Sequence, residues 1–296
     1  MNEYGNNRTL PETGDPNLTG HHEGGATITI EDEVAIRKLI AQLDLLKARP
    51  AFTVDEQVML ILATMIFIVT AARGSVGKST WSHALIEFLR MLGFTVLIID
   101  ADMRRPNLSS TYVGRYRTVT QRLDLKVEGA IETLAEIIEE NPGCPIVINL
   151  GAEADVNLSG AAIVETINEL VSLTNRQLYV HWLLRREADG PEDLAKFLGQ
   201  GLNCRAAAVL NLEAAARERF EHFDARCGDG SLKLDAVFEL PEMAARVSNA
   251  FFEDGLPAST LLATGSLSEK LDASKWLRTC FSNIVKGMAD ATRNPV

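Results

Sequence analysis

The chain has 296 residues, 46% hydrophobic and 23% charged, with 29 Lys and Arg against 40 Asp and Glu for a formal net charge of −11. That length supports one or two domains with a full core, and the charge argues against a general nucleic-acid coat while leaving room for a local basic patch. Cys144, Cys204, Cys227 and Cys280 lie far apart with no CxxC pair, which argues against a zinc site or a disulfide framework and points to reduced thiols in a cytoplasm.

In chain order, Met1 to about Ala26 is rich in Asn, Gly, Pro, Thr and Glu, so residues 1–28 are expected to be a disordered tail. No signal peptide is visible there. Ile30 to Ala48 carries Val34, Ile36, Leu39, Ile40, Leu43, Leu45 and Leu46 among charges, the pattern of an amphipathic helix. Thr53 with Glu56 resembles a capping box before a second helix over Val54 to Ala63. Together they make an N-terminal helical extension over 29–63, which either packs on the core or serves a partner or DNA. The longest apolar run, Val58 to Ala72, is broken by Thr64 and Thr70 and falls short of the ~20 residues of a membrane span.

From Met65 onward apolar strands alternate with amphipathic helices. Strands are predicted at 65–71, 95–100, 145–150, 177–184, 205–210 and 233–238. Helices are predicted at 78–92, 129–140, 159–173, 191–199, 212–222, 242–253 and 268–288. The pattern implies an α/β domain over 64–290, a mostly parallel sheet with helices on both faces, followed by a tail at 291–296. Ligands in such sheets bind at the carboxyl ends of the strands.

One such end stands out. MIFIVTAARGSVGKST, Met65 to Thr80, is a strand, a small-residue loop and a helix start. That is the context of a phosphate-binding loop, in which backbone N–H groups converge on anionic oxygens. Lys78 is placed to reach the β- and γ-phosphates and Ser79 to put its hydroxyl on Mg²⁺. Gly74 and Gly77 allow backbone angles and an approach that a side chain would block. The strict pattern has Gly where this chain has Ala72.

VLIIDADMRRPN, Val96 to Asn107, ends a buried strand in Asp100-x-Asp102. Carboxylates at a strand tip beside a phosphate loop suit Mg²⁺ and its waters, and one can orient an attacking water. Arg104, Arg105, Arg115, Arg117, Arg122 and Lys126 follow with only Asp124 against them. This stretch suits phosphate, an acidic partner or a nucleic-acid backbone, or is simply a solvated face. Near the C-terminus, Leu271, Leu277, Cys280, Phe281, Ile284, Val285 and Met288 form an apolar stripe with Lys270, Lys275, Arg278 and Lys286 nearby. It either covers the sheet or lies on a membrane surface.

Residues 72–80, ARGSVGKST, resemble the deviant phosphate loop of the ParA/MinD family, KGGVGK followed by two Ser or Thr. VLIIDAD at 96–102 is similar to that family's second motif. AAAVLNLE at 206–213 resembles the strand whose Asn, here Asn211, meets adenine. The stretch 234–257 resembles the last core strand with its Pro, here Pro241. The resemblance spans about residues 63–290. It implies a ParA/MinD-like P-loop fold and an ATP-sandwich dimer that holds a cargo and releases it on hydrolysis. By it, Gly74, Ser75, Val76, Gly77, Lys78, Ser79, Thr80, Asn211 and Pro241 bind nucleotide. Ser79 and Asp100 serve Mg²⁺, and Lys78, Asp102 and Arg73 serve hydrolysis.

Two departures bear on turnover. The family's trans-acting lysine is replaced by Arg73, which keeps the charge with a different geometry. The third motif ends its strand in Asn149, where the family usually has Asp, so a charge that helps hold water around Mg²⁺ is missing. Ser75 also replaces a loop glycine. The segment after Asp102 looks closest to the TraL/StbB-type conjugation accessory branch. A nucleotide-gated scaffold with little turnover is the alternative reading. DADMRRPN also resembles bacterial tyrosine kinases, but Tyr4, Tyr112, Tyr116 and Tyr179 supply no C-terminal tyrosine cluster.

Overall fold

The computed structural model describes residues 56–151, 161–187 and 189–293. The predicted tail, the helix over Ile30 to Ala48 and the Thr53 cap lie outside the described residues. In order the elements are α1 (Glu56–Thr64), β1 (Met65–Thr70), α2 (Lys78–Met91), β2 (Val96–Ala101), α3 (Asn107–Tyr112) and β3 (Thr118–Arg122). Then come α4 (Ala130–Glu140), β4 (Ile146–Leu150), α5 (Ala161–Leu173), β5 (Gln177–Leu184), α6 (Gly190–Leu198) and β6 (Arg205–Asn211). A short 3₁₀ turn (Arg217–Arg219), α7 (Glu221–Gly228), β7 (Ala236–Leu240), α8 (Ala245–Phe252), α9 (Ala258–Thr264) and α10 (Leu267–Arg293) complete them.

The strands form one seven-stranded sheet in the order β3-β2-β4-β1-β5-β6-β7, and every neighbouring pair is parallel. β1 lies at its centre, with Ile68 opposite Ile148 of β4 and Val180 of β5. The central strands are buried along their whole length, which is why they read as continuous apolar runs rather than alternating ones. Their period of two sends Phe67 and Val69 to one face and Ile66 and Ile68 to the other. The first face packs under α2 and α10 through Trp81, Leu85, Trp276, Phe281 and Ile284. The second packs under α4, α5 and α6 through Leu134, Ile138, Ile167, Leu194 and Phe197. Each such side chain contributes about 1.5–3 kcal/mol on burial, so the two clusters fix the strand tips in place.

α1 joins this core through Leu62 and Val58, so this helix of the predicted extension packs on the first face. α10 does the same with Leu277, Cys280, Phe281, Ile284, Val285 and Met288, leaving Leu271 exposed from the predicted stripe. The helix approaches β7 so closely that a Cβ on Gly287 would lie 2.3 Å from the Phe238 ring. No helix among the described residues is long and apolar enough to cross a membrane.

The elements differ from the sequence reading in four places: β3, α3 and α9, which the sequence pattern did not predict, and the helix expected at 212–222. β3, TVTQR, is a sheet edge that exposes Gln121 and Arg122 and half-buries its threonines, and α3 is only six residues long. The helix predicted at 212–222 is instead a turn followed by the 3₁₀ turn and α7. The cause is local: the Asn211 Oδ1 accepts the Glu213 N–H at 3.0 Å, and the Leu212 N–H donates to Leu240 O at 2.9 Å. Those bonds curl the backbone away from a helical path.

Candidate functional site

The loop between β1 and α2 runs from Ala71 to Gly77 at the carboxyl end of the central strand. Gly77 caps α2 in the left-handed region, φ 97°, and a Cβ there would lie 2.8 Å from Asn211 Nδ2. Glycine is therefore required on both conformational and steric grounds. Asn211 Nδ2 donates to Val76 O at 2.9 Å and ties the tip of β6 to the loop. Ser75 holds φ 56° without the freedom of glycine, a backbone that costs roughly 1–2 kcal/mol for an L-residue. Such strain is retained where surrounding structure over-determines the backbone.

Lys78 opens α2 and is only 6% exposed. Its Nζ donates to Arg73 O at 3.0 Å. Burial lowers its pKa, and the Asp102 carboxylate works against that shift. An ammonium has three donors, so further acceptors fit around Nζ.

Beside the loop lies a cleft of about 860 Å³. Of the predicted residues, Gly74, Ser75, Gly77, Lys78, Ser79, Thr80, Asp102 and Asn211 line it. Asp102 Oδ1 accepts the backbone N–H groups of Arg104 and Arg105 at 3.2 and 3.1 Å, turning both arginines along the rim. The cations Lys78, Arg104, Arg105 and Arg185 share this lining with the carboxylates Asp102 and Glu213. In a chain of net charge −11 that concentration of positive charge focuses anions into one place.

Four predicted residues do not line the cleft. The Val76 side chain is buried in the first core face, and the residue reaches the site through its carbonyl bond to Asn211. Pro241 turns its carbonyl to Trp276 Nε1 at 3.3 Å. Arg73 pairs with Asp189 next to α6 and lines a separate cavity of about 80 Å³. Asp100 is fully buried, because the register sets it opposite Asn149 of β4. Its Oδ2 accepts the Ser109 N–H at 2.9 Å and its Oδ1 accepts Asn149 Nδ2 at 3.3 Å, while Ser82 donates to Asn149 Oδ1 at 3.3 Å. Burial raises the Asp100 pKa, and those hydrogen bonds pull it back. Among the described residues no group of three His, Cys, Asp or Glu is arranged to hold a metal.

The basic stretch does not form one face. Arg104 and Arg105 belong to the cleft, Arg115 donates to Thr111 O, Arg117 stacks on Tyr116, and Arg122 ends the edge strand β3. Sequence reasoning missed Arg185, Glu213, Met243, Ser248 and Phe252 as cleft residues. Arg185 and Glu213 each follow the end of a strand, a signal that strand-tip reasoning offers; Ser248 and Phe252 of α8 carry no such signal.

A parallel sheet, a glycine loop at the end of its central strand and a buried lysine opening the next helix define a P-loop nucleotide-binding protein. The CbiA family model, the CobQ/CobB/MinD/ParA nucleotide binding domain, matches residues 67–290, and the chain belongs to this family. It is 26% identical over 222 residues to "Protein MobD" of Acidithiobacillus ferrooxidans, covering 73% of this chain and 94% of that protein. Among solved structures, the MinC:MinD cell division protein complex of Aquifex aeolicus matches at 19% identity with a TM-score of 0.49, covering 75% of this chain and 95% of the other. A plasmid partition protein from Borrelia burgdorferi matches at 14% identity with a TM-score of 0.44, covering 75% and 98%.

Proposed function

We propose that residues 64–290 are an ATP-binding domain that dimerises on ATP and acts as a slow ATPase, positioning a cargo such as plasmid DNA or a conjugation complex. The observation that carries this reading is Lys78: an ammonium held in a cleft with one carbonyl partner, at the mouth of a glycine loop. The residues fit a triphosphate. Loop amides from Gly74 to Gly77 take its oxygens, Lys78 exchanges the Arg73 carbonyl for phosphate, and Thr80 binds the inner phosphate. Mg²⁺, when bound, neutralises charge on the outer phosphates. Ser79 and, in place of the expected but fully buried Asp100, Asp102 are its protein contacts in this reading, and Asp102 orients the attacking water. Asp100, held by Ser109 and Asn149, supports Asp102 from behind through the Asp102 backbone N–H. Arg73 leaves Asp189 to reach the partner's nucleotide, an exchange that a half-exposed surface ion pair opposes by no more than about 1 kcal/mol. Arg104 and Arg105 serve the phosphates, and the site works in a cytoplasm.

Size-exclusion chromatography with and without ATP and Mg²⁺ tests this. Wild type shifts to a dimer with ATP, and Lys78→Ala stays a monomer. A wild type that remains monomeric at saturating ATP overturns the dimer switch.

A second reading, a nucleotide-gated scaffold with little turnover, is favoured by one specific feature. Asn149 stands where a charged metal helper is expected and spends its amide on Asp100. ATP-dependent dimerisation without steady-state phosphate release, with or without DNA, supports the scaffold over the ATPase.

A further inference from the structure

A carboxylate in a triphosphate cleft needs a reason. Asp102 has one beside the loop, and Glu213 has none. The strand order separates them: Asp102 follows β2 and Glu213 follows β6, four strand steps apart, or about 19 Å at 4.7–4.9 Å per step. β6 is also two steps from the phosphate loop of β1, about 10 Å. Glu213 therefore faces the end of a bound nucleotide remote from its outer phosphates.

The backbone under Glu213 is pinned. Its N–H donates to Asn211 Oδ1 at 3.0 Å, and the neighbouring Leu212 N–H donates to Leu240 O at 2.9 Å. Its carboxylate pairs with no other described residue. Asn211, by contrast, is 5% exposed and has both ends of its amide engaged, Nδ2 on Val76 O and Oδ1 on the Glu213 N–H. It braces the loop. Met243 and Phe252 line the same cleft and offer an apolar platform for a flat ring.

We propose that Glu213 reads the base: its carboxylate accepts a hydrogen bond from the 6-amino group of adenine and so rejects purines with an oxygen at that position. This rests on the nucleotide-binding reading above. An ionised carboxylate is an acceptor only. Adenine presents an N–H donor at position 6, whereas hypoxanthine presents a second acceptor there. The two oxygens repel, and neither gains a partner in place of water. Glu213 is thus a specificity residue on the opposite side of β1 from the chemistry.

The test compares ATP with inosine triphosphate, which carries an oxo group at position 6, by calorimetry on the full chain. Wild type binds ATP at least about tenfold more tightly, the scale of one hydrogen-bond mismatch at a partly exposed site. Glu213→Gln, which offers both donor and acceptor, brings the two within about threefold. Glu213 is exposed, so the variant keeps its fold, checked by an unchanged melting curve. An ATP preference that is the same in both proteins overturns the role of Glu213 while leaving nucleotide binding intact. A wild type that prefers inosine triphosphate also overturns it, since the carboxylate then faces the ring N1–H. Failure of wild type to bind either nucleotide instead overturns the nucleotide-binding reading itself.

Discussion

Replacing Asn149 with Asp puts the reasoning about the strand tips to a quantitative test. Asn149 and Asp100 are both fully buried, sit opposite each other in the β2–β4 register, and share a hydrogen bond of 3.3 Å. The substitution removes a donor to a charged acceptor, worth about 1.5–3 kcal/mol. It also sets two carboxylates side by side, a repulsion of about 4 kcal/mol at 4 Å with an effective dielectric of 20. Protonation of one carboxyl limits the total, so the expected loss is roughly 3–5 kcal/mol at pH 7.5 without Mg²⁺. The sign of the pH dependence follows from the Asp100 pKa, which burial already raises in the folded protein. A raised carboxyl pKa favours the folded state at low pH, and that benefit disappears as pH rises through the folded value. The deficit of Asn149→Asp against wild type therefore shrinks at about pH 4.5 and is full at about pH 7.5. Urea denaturation at the two pH values measures it through the midpoint at constant slope. Equal stability of the two proteins at pH 7.5 would refute the buried Asn149–Asp100 pairing.

Two further outcomes follow from the core. His83 and His181 are fully buried, and burial pushes both pKa values down to about 3. A depressed histidine pKa gives stability that is complete above the unfolded value of about 6.5 and is lost as pH falls toward 3. Unfolding free energy should thus drop between pH 6 and 4 by up to about 1.4 kcal/mol per pH unit for each histidine, and a flat profile by chemical denaturation would contradict their neutral burial. Gly287→Ala adds a Cβ at 2.3 Å from the Phe238 ring, so its thermal midpoint should fall by an amount corresponding to about 1–3 kcal/mol; an unchanged midpoint would mean α10 packs less tightly on β7 than described.

Much of the fold was legible because the forces that make it are local or periodic. β1, β2 and β4 read as strands because burial on both faces demands unbroken apolar runs, and the glycine loop ahead of Lys78 read as a strand-to-helix turn because its parts are adjacent in the chain. β3 was not legible: a five-residue edge strand with Val119 as its one apolar residue has little apolar pattern to show. The helix expected at 212–222 failed because alanine-rich propensity there is overridden by one asparagine side chain that captures the next turn. The cleft walls were the hardest part. Arg185, Glu213 and Phe252 come from three different loops or helices, and only the strand order brings them beside Gly74. Asp100 and Asp102 share one motif, yet Asp100 lies within β2, buried in register with Asn149 of β4, whereas Asp102 lies beyond the end of the strand and lines the cleft.

The central claim is that the Lys78 ammonium sits where a nucleotide's outer phosphates bind. Isothermal titration of ATP with Mg²⁺ into wild type and Lys78→Ala tests it most directly. The account predicts saturable one-to-one binding by wild type and a loss of at least about a hundredfold in the variant, the scale of a buried charge-assisted contact removed. Equal affinity in the two proteins would contradict it.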